Sequence, residues 1–247
     1  MVPDPAQAAP QPAPAPPAPP AARDKVRLRF RKAGDLRFLS HHDLMRTFER
    51  MLRRAGLPFH STQGFHPKPR LVFCLSLSLG VVGREEAVEL ELTEPLDPEE
   101  VRARLAAEAP PGLEILSARR IDRRTTGQPR RVEYRVALPP DRAAGLSGPV
   151  TDLMNAAEAW VERTKPPPRR VNVRPYLDAV RVLAQPEPTL EMSLWVTPQG
   201  SARPDEVLRL LGLDDLLAAG AVLERTRLEL HDEAASPEPE ELTKGTA

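Results

Sequence analysis

From Lys25 to Lys32 apolar and basic residues alternate, Val26, Leu28 and Phe30 against Arg27, Arg29 and Arg31, which is the period of a half-buried β-strand. The period then changes. Ser40 is a good N-cap, Asp43 brings negative charge to the first turn, and Leu44, Met45, Phe48, Met51, Leu52 and Ala55 recur at helical spacing. Gly56, followed by Leu57 and Pro58, ends that helix. Period two returns in Leu71, Phe73, Leu75, Leu77 and Leu79, predicting a second strand, and in Val88–Leu92, predicting a third. Asp97, Pro98 and Glu100 supply a cap, a first-turn proline and a capping box, with Leu96 and Val101 placed as a hydrophobic staple. Pro110, Pro111 and Gly112 close this second helix, and Leu113–Ile121 reads as a fourth strand.

Strand, helix, strand, strand, helix, strand is the order of a ferredoxin-like unit, a four-stranded antiparallel sheet with two helices on one face. The order then recurs in elements, though not in residues. Val132, Tyr134, Val136 and Leu138 mark a strand, and Val150, Leu153, Met154, Ala157, Trp160 and Val161 mark an amphipathic helix. Val171–Leu183 predicts a strand interrupted at Arg174-Pro175-Tyr176, and Leu190, Met192, Leu194 and Val196 predict another. A helix from Pro204 to Leu211 and a strand from Val222 to Leu230 complete the set. The expected fold class is α+β, with two tandem ferredoxin-like (βαββαβ) units and antiparallel sheets. The units span 25–122 and 130–231, joined by a linker at 123–129, with a disordered Pro/Ala tail at 1–24 and an acidic flexible tail at 232–247. In such a sheet the first and third strands are central. Arg27, Arg29 and Arg31 are then expected on its open face beside Glu89 and Glu91, a neutralised ladder rather than an aromatic platform for stacking RNA bases.

Composition sharpens this picture at the ends and in the chemistry. The first 22 residues hold nine prolines and eight alanines, an extended tail rather than a secretory signal. No apolar run is long enough to cross a membrane, and a single cysteine, Cys74, excludes an internal disulfide, so the cytoplasm is the expected compartment. One thiol also cannot hold an iron–sulfur cluster or a cysteine-rich zinc site. Net charge is zero, but residues 23–70 carry 13 Lys or Arg against four Asp or Glu. Arg46, Arg50, Arg53 and Arg54 share one side of the first helix, and the sequence from Gln63 to Arg70 is a loop stiffened by Pro67 and Pro69 that offers Gly64, Phe65, His66, Lys68 and Arg70. That loop is either a recognition element or a turn whose Phe65 plugs the core.

Four of the five histidines, His41, His42, His60 and His66, lie between Phe38 and Gly80, but their spacing matches no metal motif, and no metal site is expected. Cys74, inside an apolar strand, reads as a small hydrophobe. In the second half Arg174 and Arg203 each precede a proline, with Tyr176 close by, and either could fork onto a carboxylate or phosphate or pair with Asp178 or Asp205.

Phe38-Leu39-Ser40-His41-His42-Asp43-Leu44-Met45-Arg46, Gln63-Gly64-Phe65-His66-Pro67-Lys68-Pro69, Leu79-Gly80, Arg174-Pro175-Tyr176 and Arg203-Pro204-Asp205-Glu206-Val207-Leu208 together resemble the radical-SAM-linked protein family. That family is a bacterial domain of unknown function encoded beside, or fused to, a radical SAM protein. The likeness spans about Lys25 to Leu230. It departs at His42, where the family usually has leucine, and at Ser76–Leu79, where a run like Ala-Leu-Pro is more usual. The resemblance implies a radical SAM protein as partner, which would bring an iron–sulfur cluster and S-adenosylmethionine; no cofactor is expected on this chain. The leading expectation is a non-catalytic accessory module that binds the radical SAM protein, its substrate, or both, with RNA a candidate substrate by analogy of fold. Its expected binding residues are Ser40, His41, Asp43, Arg46, Arg50, Gln63, Gly64, Phe65, His66, Lys68, Arg70, Arg174, Tyr176 and Arg203. An RNA-modifying or RNA-processing enzyme using His41, His66 and Lys68 is the alternative, and a purely structural protein–protein adaptor is the third reading.

Overall fold

The computed structural model describes residues 23–62, 68–164 and 167–233. Its first half runs β1 (Asp24–Lys32), a 3-10 turn (Gly34–Phe38), α1 (His41–Arg54), β2 (Leu71–Phe73), β3 (Val82–Leu92), α2 (Pro98–Ala107) and β4 (Leu113–Arg120). The second half runs β5 (Pro129–Ala137), α3 (Pro140–Ala143), α4 (Ser147–Asn155), β6 (Trp160–Arg163), β7 (Arg169–Asn172), a 3-10 turn (Arg174–Tyr176), β8 (Leu177–Leu183), β9 (Thr189–Thr197), β10 (Gly200–Ser201), α5 (Pro204–Leu210) and β11 (Leu223–Leu230). The fold is α+β, with one large, mostly antiparallel sheet. Its order is β10-β9-β5-β11-β3-β1-β4, with β2 added to β3 and β8 to β9, while β6 and β7 pair separately as a hairpin. Among the described residues no helix is long and apolar enough to cross a membrane.

The period-two pattern of β1 sends Val26, Leu28 and Phe30 to one face, where they are buried beneath α1. Leu44, Phe48, Met51 and Leu52 are the buried face of α1, and Phe30, Phe48 and Phe73 meet edge to face at 5.1–5.8 Å. Ser40 caps the start of α1, its Oγ accepting from Asp43 N at 3.2 Å. Gly56, at φ +59°, ends it in the left-handed region. Arg104 of α2 donates to the carbonyls of Ala55 and Gly56 at 2.6–3.0 Å, satisfying orphan acceptors at the end of α1 and locking the two helices together.

Two predicted elements end early. The run Leu71–Leu79 is a strand only through Phe73, because beyond Ala87 the edge of β3 goes to β11, with Glu224 opposite Val82 and Arg225 opposite Gly83 in a parallel pairing. Leu75 and Leu77 pack instead against the second-half core. The helix predicted to continue through Trp160 and Val161 stops at Asn155, and those two residues open β6. Arg174 accounts for the stop: it donates to Met154 O at 2.6 Å and Ala156 O at 3.2 Å, closing the helix end.

The open face of the first sheet also differs from expectation. Arg27, expected to face solvent, has a fully buried side chain, because the segment after β11 folds across it. Asp232 and Glu233, assigned to a loose tail, are docked there, and the remainder of that tail lies outside the described residues. Asp24, assigned to the N-terminal tail, is the first residue of β1 and binds Arg120 at 2.9 Å. Gly127, within the expected linker, is buried and donates its N–H to Glu89 at 2.7 Å.

Candidate functional site

The predicted arginine stripe exists as an exposed surface. Arg46, Arg50, Arg53 and Arg54 all project from the side of α1 opposite its buried residues. Arg46, 72% exposed at its side chain, meets Asp43 at 3.6 Å; Arg50 reaches Thr47 Oγ1 at 3.3 Å; Arg53 lies over the Phe59 ring at 5.4 Å. Ser40 and Asp43 form a reciprocal cap, with Ser40 Oγ also donating to Asp43 Oδ2 at 2.7 Å. His41 sets its ring edge-on to Phe73 at 5.2 Å, a packing contact.

The loop after α1 is built on a short ladder. His60 N donates to Glu91 O, Arg70 N to His60 O and Thr62 N to Lys68 O, each at 2.8 Å, and Ser61 bridges Pro69. Lys68 and Arg70 therefore stand on one arm of a hairpin, both exposed, with Arg70 weakly tied to Glu91 at 3.4 Å. Gln63, Gly64, Phe65 and His66 lie outside the described residues. This hairpin follows the C-terminal end of α1, whereas Ser40 and His41 stand at its N-terminal end, about 20 Å away along a 14-residue helix. Among the expected residues, Ser40, His41 and Asp43 thus stand at the N-terminal end of α1, Lys68 and Arg70 beyond its C-terminal end, and Arg46 and Arg50, one turn apart, between them. His60 sits at the hairpin base with Nδ1 3.8 Å from Glu91. Burial, with Arg23 and Arg70 nearby, holds its pKa below the ordinary histidine value.

The second-half candidates make their contacts within the second half. Arg174 is spent on the carbonyls of Met154, Ala156 and Leu177. Tyr176 is half-buried against the second core beside Gly200. Arg203 is exposed at the start of α5, where its N–H donates to the Glu206 carboxylate at 2.9 Å, and that carboxylate is also gripped by Arg163 at 2.7 Å. Desolvation and the neighbouring Glu89 push the Cys74 thiol up to about 12, so at neutral pH it is a protonated, poorly nucleophilic group. Among the described residues no group of three or more His, Cys, Asp and Glu could hold a metal.

One cluster was not legible beforehand. Glu89 lies between Lys25 at 2.6 Å and Arg27 at 2.7 Å with no side-chain exposure, and Arg27 reaches on to Asp232 at 2.9 Å and Glu233 at 2.7 Å. Arg29 and Arg119 also close on Glu233. Burial opposes the charge of both Arg27 and Glu233, but their hydrogen bonds prevail: Arg27 is held protonated above its ordinary range, and Glu233 ionised below its own. Arg27 and Glu89 do sit opposite each other in register, a pairing the alternation of β1 and β3 allowed, but no local pattern announced the carboxylates more than 200 positions away.

A family model described as DUF2344, uncharacterized protein conserved in bacteria, matches residues 25–204. That description speaks of no radical SAM companion. No curated protein matches the chain. A crystal structure of an unknown protein from Galdieria sulphuraria is 14% identical over 84% of this chain and 98% of that one, but its TM-score of 0.26 carries no argument. The family match takes in α1 and the strands from β2 to β10, with all of β1 but its first residue, and stops short of β11; the chain belongs to the DUF2344 family of uncharacterized bacterial proteins.

Proposed function

We propose that this chain is a non-catalytic accessory module that grips an anionic partner surface through the arginine face of α1. The observation that carries the reading is the contrast in how arginines are used. Arg27, Arg84, Arg120, Arg131, Arg163 and Arg225 are each committed to carboxylates. On α1 the one ion pair among the described residues is the 3.6 Å contact of Arg46 with Asp43, and the guanidinium groups stay in solvent. A row of solvated forks is suited to carboxylate or phosphate. The motif resemblance proposes a radical SAM protein as the partner and the cytoplasm as the place, with the cluster and S-adenosylmethionine carried by that partner. RNA remains the substrate to test. We read each half as a ferredoxin-like unit; supporting this are the antiparallel orders β4-β1-β3-β2 and β11-β5-β9-β8, with the β6–β7 hairpin inserted before β8.

The test compares the parent with Arg46→Glu/Arg50→Glu in two arms, capture of the companion radical SAM protein and anisotropy of a short labelled RNA at rising salt. The expected outcome is unchanged thermal stability with capture weakened at least tenfold in one arm. In the RNA arm the salt slope should also flatten, since fewer counterions are released. Equal capture by both proteins in both arms would place the binding surface elsewhere.

A further inference from the structure

We propose that the open face of the first sheet holds an oxyanion-binding site, for a phosphate group, which the chain itself occupies with Asp232 and Glu233. Three guanidinium groups converge on one carboxylate. Arg27 Nη1 is 2.7 Å and Arg119 Nη2 2.5 Å from Glu233 Oε1, while Arg29 takes Oε2. Arg27 Nη1 also holds Asp232 at 2.9 Å. Convergent arginine forks on one planar or tetrahedral oxyanion are the usual means of phosphate recognition, and a carboxylate is the nearest side-chain imitation of that ligand. A cavity of about 230 Å³ adjoins the contact, lined by Arg27, Arg29, Ser117, Arg119 and Arg227 beside Glu233.

The charge balance depends on the docked segment. Lys25 and Arg27 share Glu89. Glu85 and Glu229 also line the cavity, but Glu229 is held by Arg130 and Arg131. With Asp232 and Glu233 withdrawn, Lys25, Arg27, Arg29, Arg119 and Arg227 would face Glu85 and Glu89, an excess of three positive charges, and Arg27, which that segment covers, would open to an incoming ligand. Such a face attracts an anion. The segment that fills it is anchored by one turn, Glu233 N to Leu230 O at 3.1 Å, and Asp232 is exposed on its outer side, so an incoming oxyanion meets the occupant directly. A tethered occupant competes at an effective concentration in the millimolar range, which keeps weak monoanions out of the full chain. The site lies on the sheet face opposite α1 and shares no residue with the arginine face of that helix.

The experiment titrates inorganic phosphate and, separately, a short RNA into the parent and into Asp232→Asn/Glu233→Gln. The expected result is at least tenfold tighter phosphate binding by the variant. Its thermal midpoint should be restored by phosphate but not by chloride of equal ionic strength, and adding Arg119→Gln, at a half-exposed position, should remove the gain. A parallel gain for RNA assigns the ligand as a phosphodiester backbone; a gain for phosphate alone assigns a small ion. Should the double variant fail to fold in chloride, refolding it in phosphate decides: recovery supports the site, and no recovery overturns it. Equal phosphate affinity in parent and variant, or equal rescue by chloride, would show Asp232 and Glu233 to be a clasp and nothing more.

Discussion

Arg225 has a 2% exposed side chain and is answered by Glu86, equally buried, with Leu75 O and Ser76 O accepting two of its remaining protons. Removing one partner from such a pair leaves a stranded charge, so Arg225→Ala should lower the unfolding free energy by about 3–5 kcal/mol, while Arg225→Met with Glu86→Leu should lose much less. Denaturant midpoints in which the double replacement is the worse of the two would contradict this account. Glu233 makes a prediction in pH. Burial raises its pKa, but Arg27, Arg29 and Arg119 bring it below the ordinary 4.5. A carboxylate depressed in the folded state stabilises fully above its unfolded value and loses that contribution as pH falls through the folded one. The parent should therefore lose thermal stability below pH 4.5 more steeply than Glu233→Gln; parallel curves would sink the assignment. At this scale the caps at Ser40 and Asp97 could be read ahead, because a cap and its target lie within three residues. The burial of Arg27 could not, because it depends on side chains 205 and 206 positions away.

α1 and its hairpin carry the functional claim at the level of elements. If the hairpin arm contributes to the binding face, Lys68→Ala/Arg70→Ala should leave the thermal midpoint unchanged, since both side chains are exposed, yet weaken capture at low salt. Capture that survives at every salt concentration removes these two residues from the site. The helical stripe of α1 and the alternation of β1 were plain in the sequence because the apolar face of each packs on a single core. The short β2 and the truncated α4 were not. Leu75 and Leu77 keep strand-like alternation while packing on the other half of the molecule, and Trp160 continues a helical spacing while standing exposed on β6 under Arg170. Periodicity reports which side chains are apolar, not which neighbour claims them.

For the whole molecule, the parallel step between β3 and β11 joins two four-strand groups into one sheet, and Leu75, Leu77, Val81 and Ala87 of the first half enter the core of the second. Two independent units would melt separately. Calorimetry is expected to show one cooperative transition, and two resolved transitions would mean that this seam contributes little. The seam was invisible beforehand because either half, read by itself, is a complete pattern of strands and helices.

The docking of Asp232 and Glu233 on β1 has a consequence in time. A ribosome making this chain releases Arg27 and Arg29 more than 200 residues before Glu233. At ordinary elongation speeds of about 5–20 residues per second, the nascent first half waits roughly ten to forty seconds with that basic surface uncovered. During that interval the growing polypeptide presents that basic surface beside ribosomal RNA, and only the arrival of Asp232 and Glu233, just beyond the last strand, covers it.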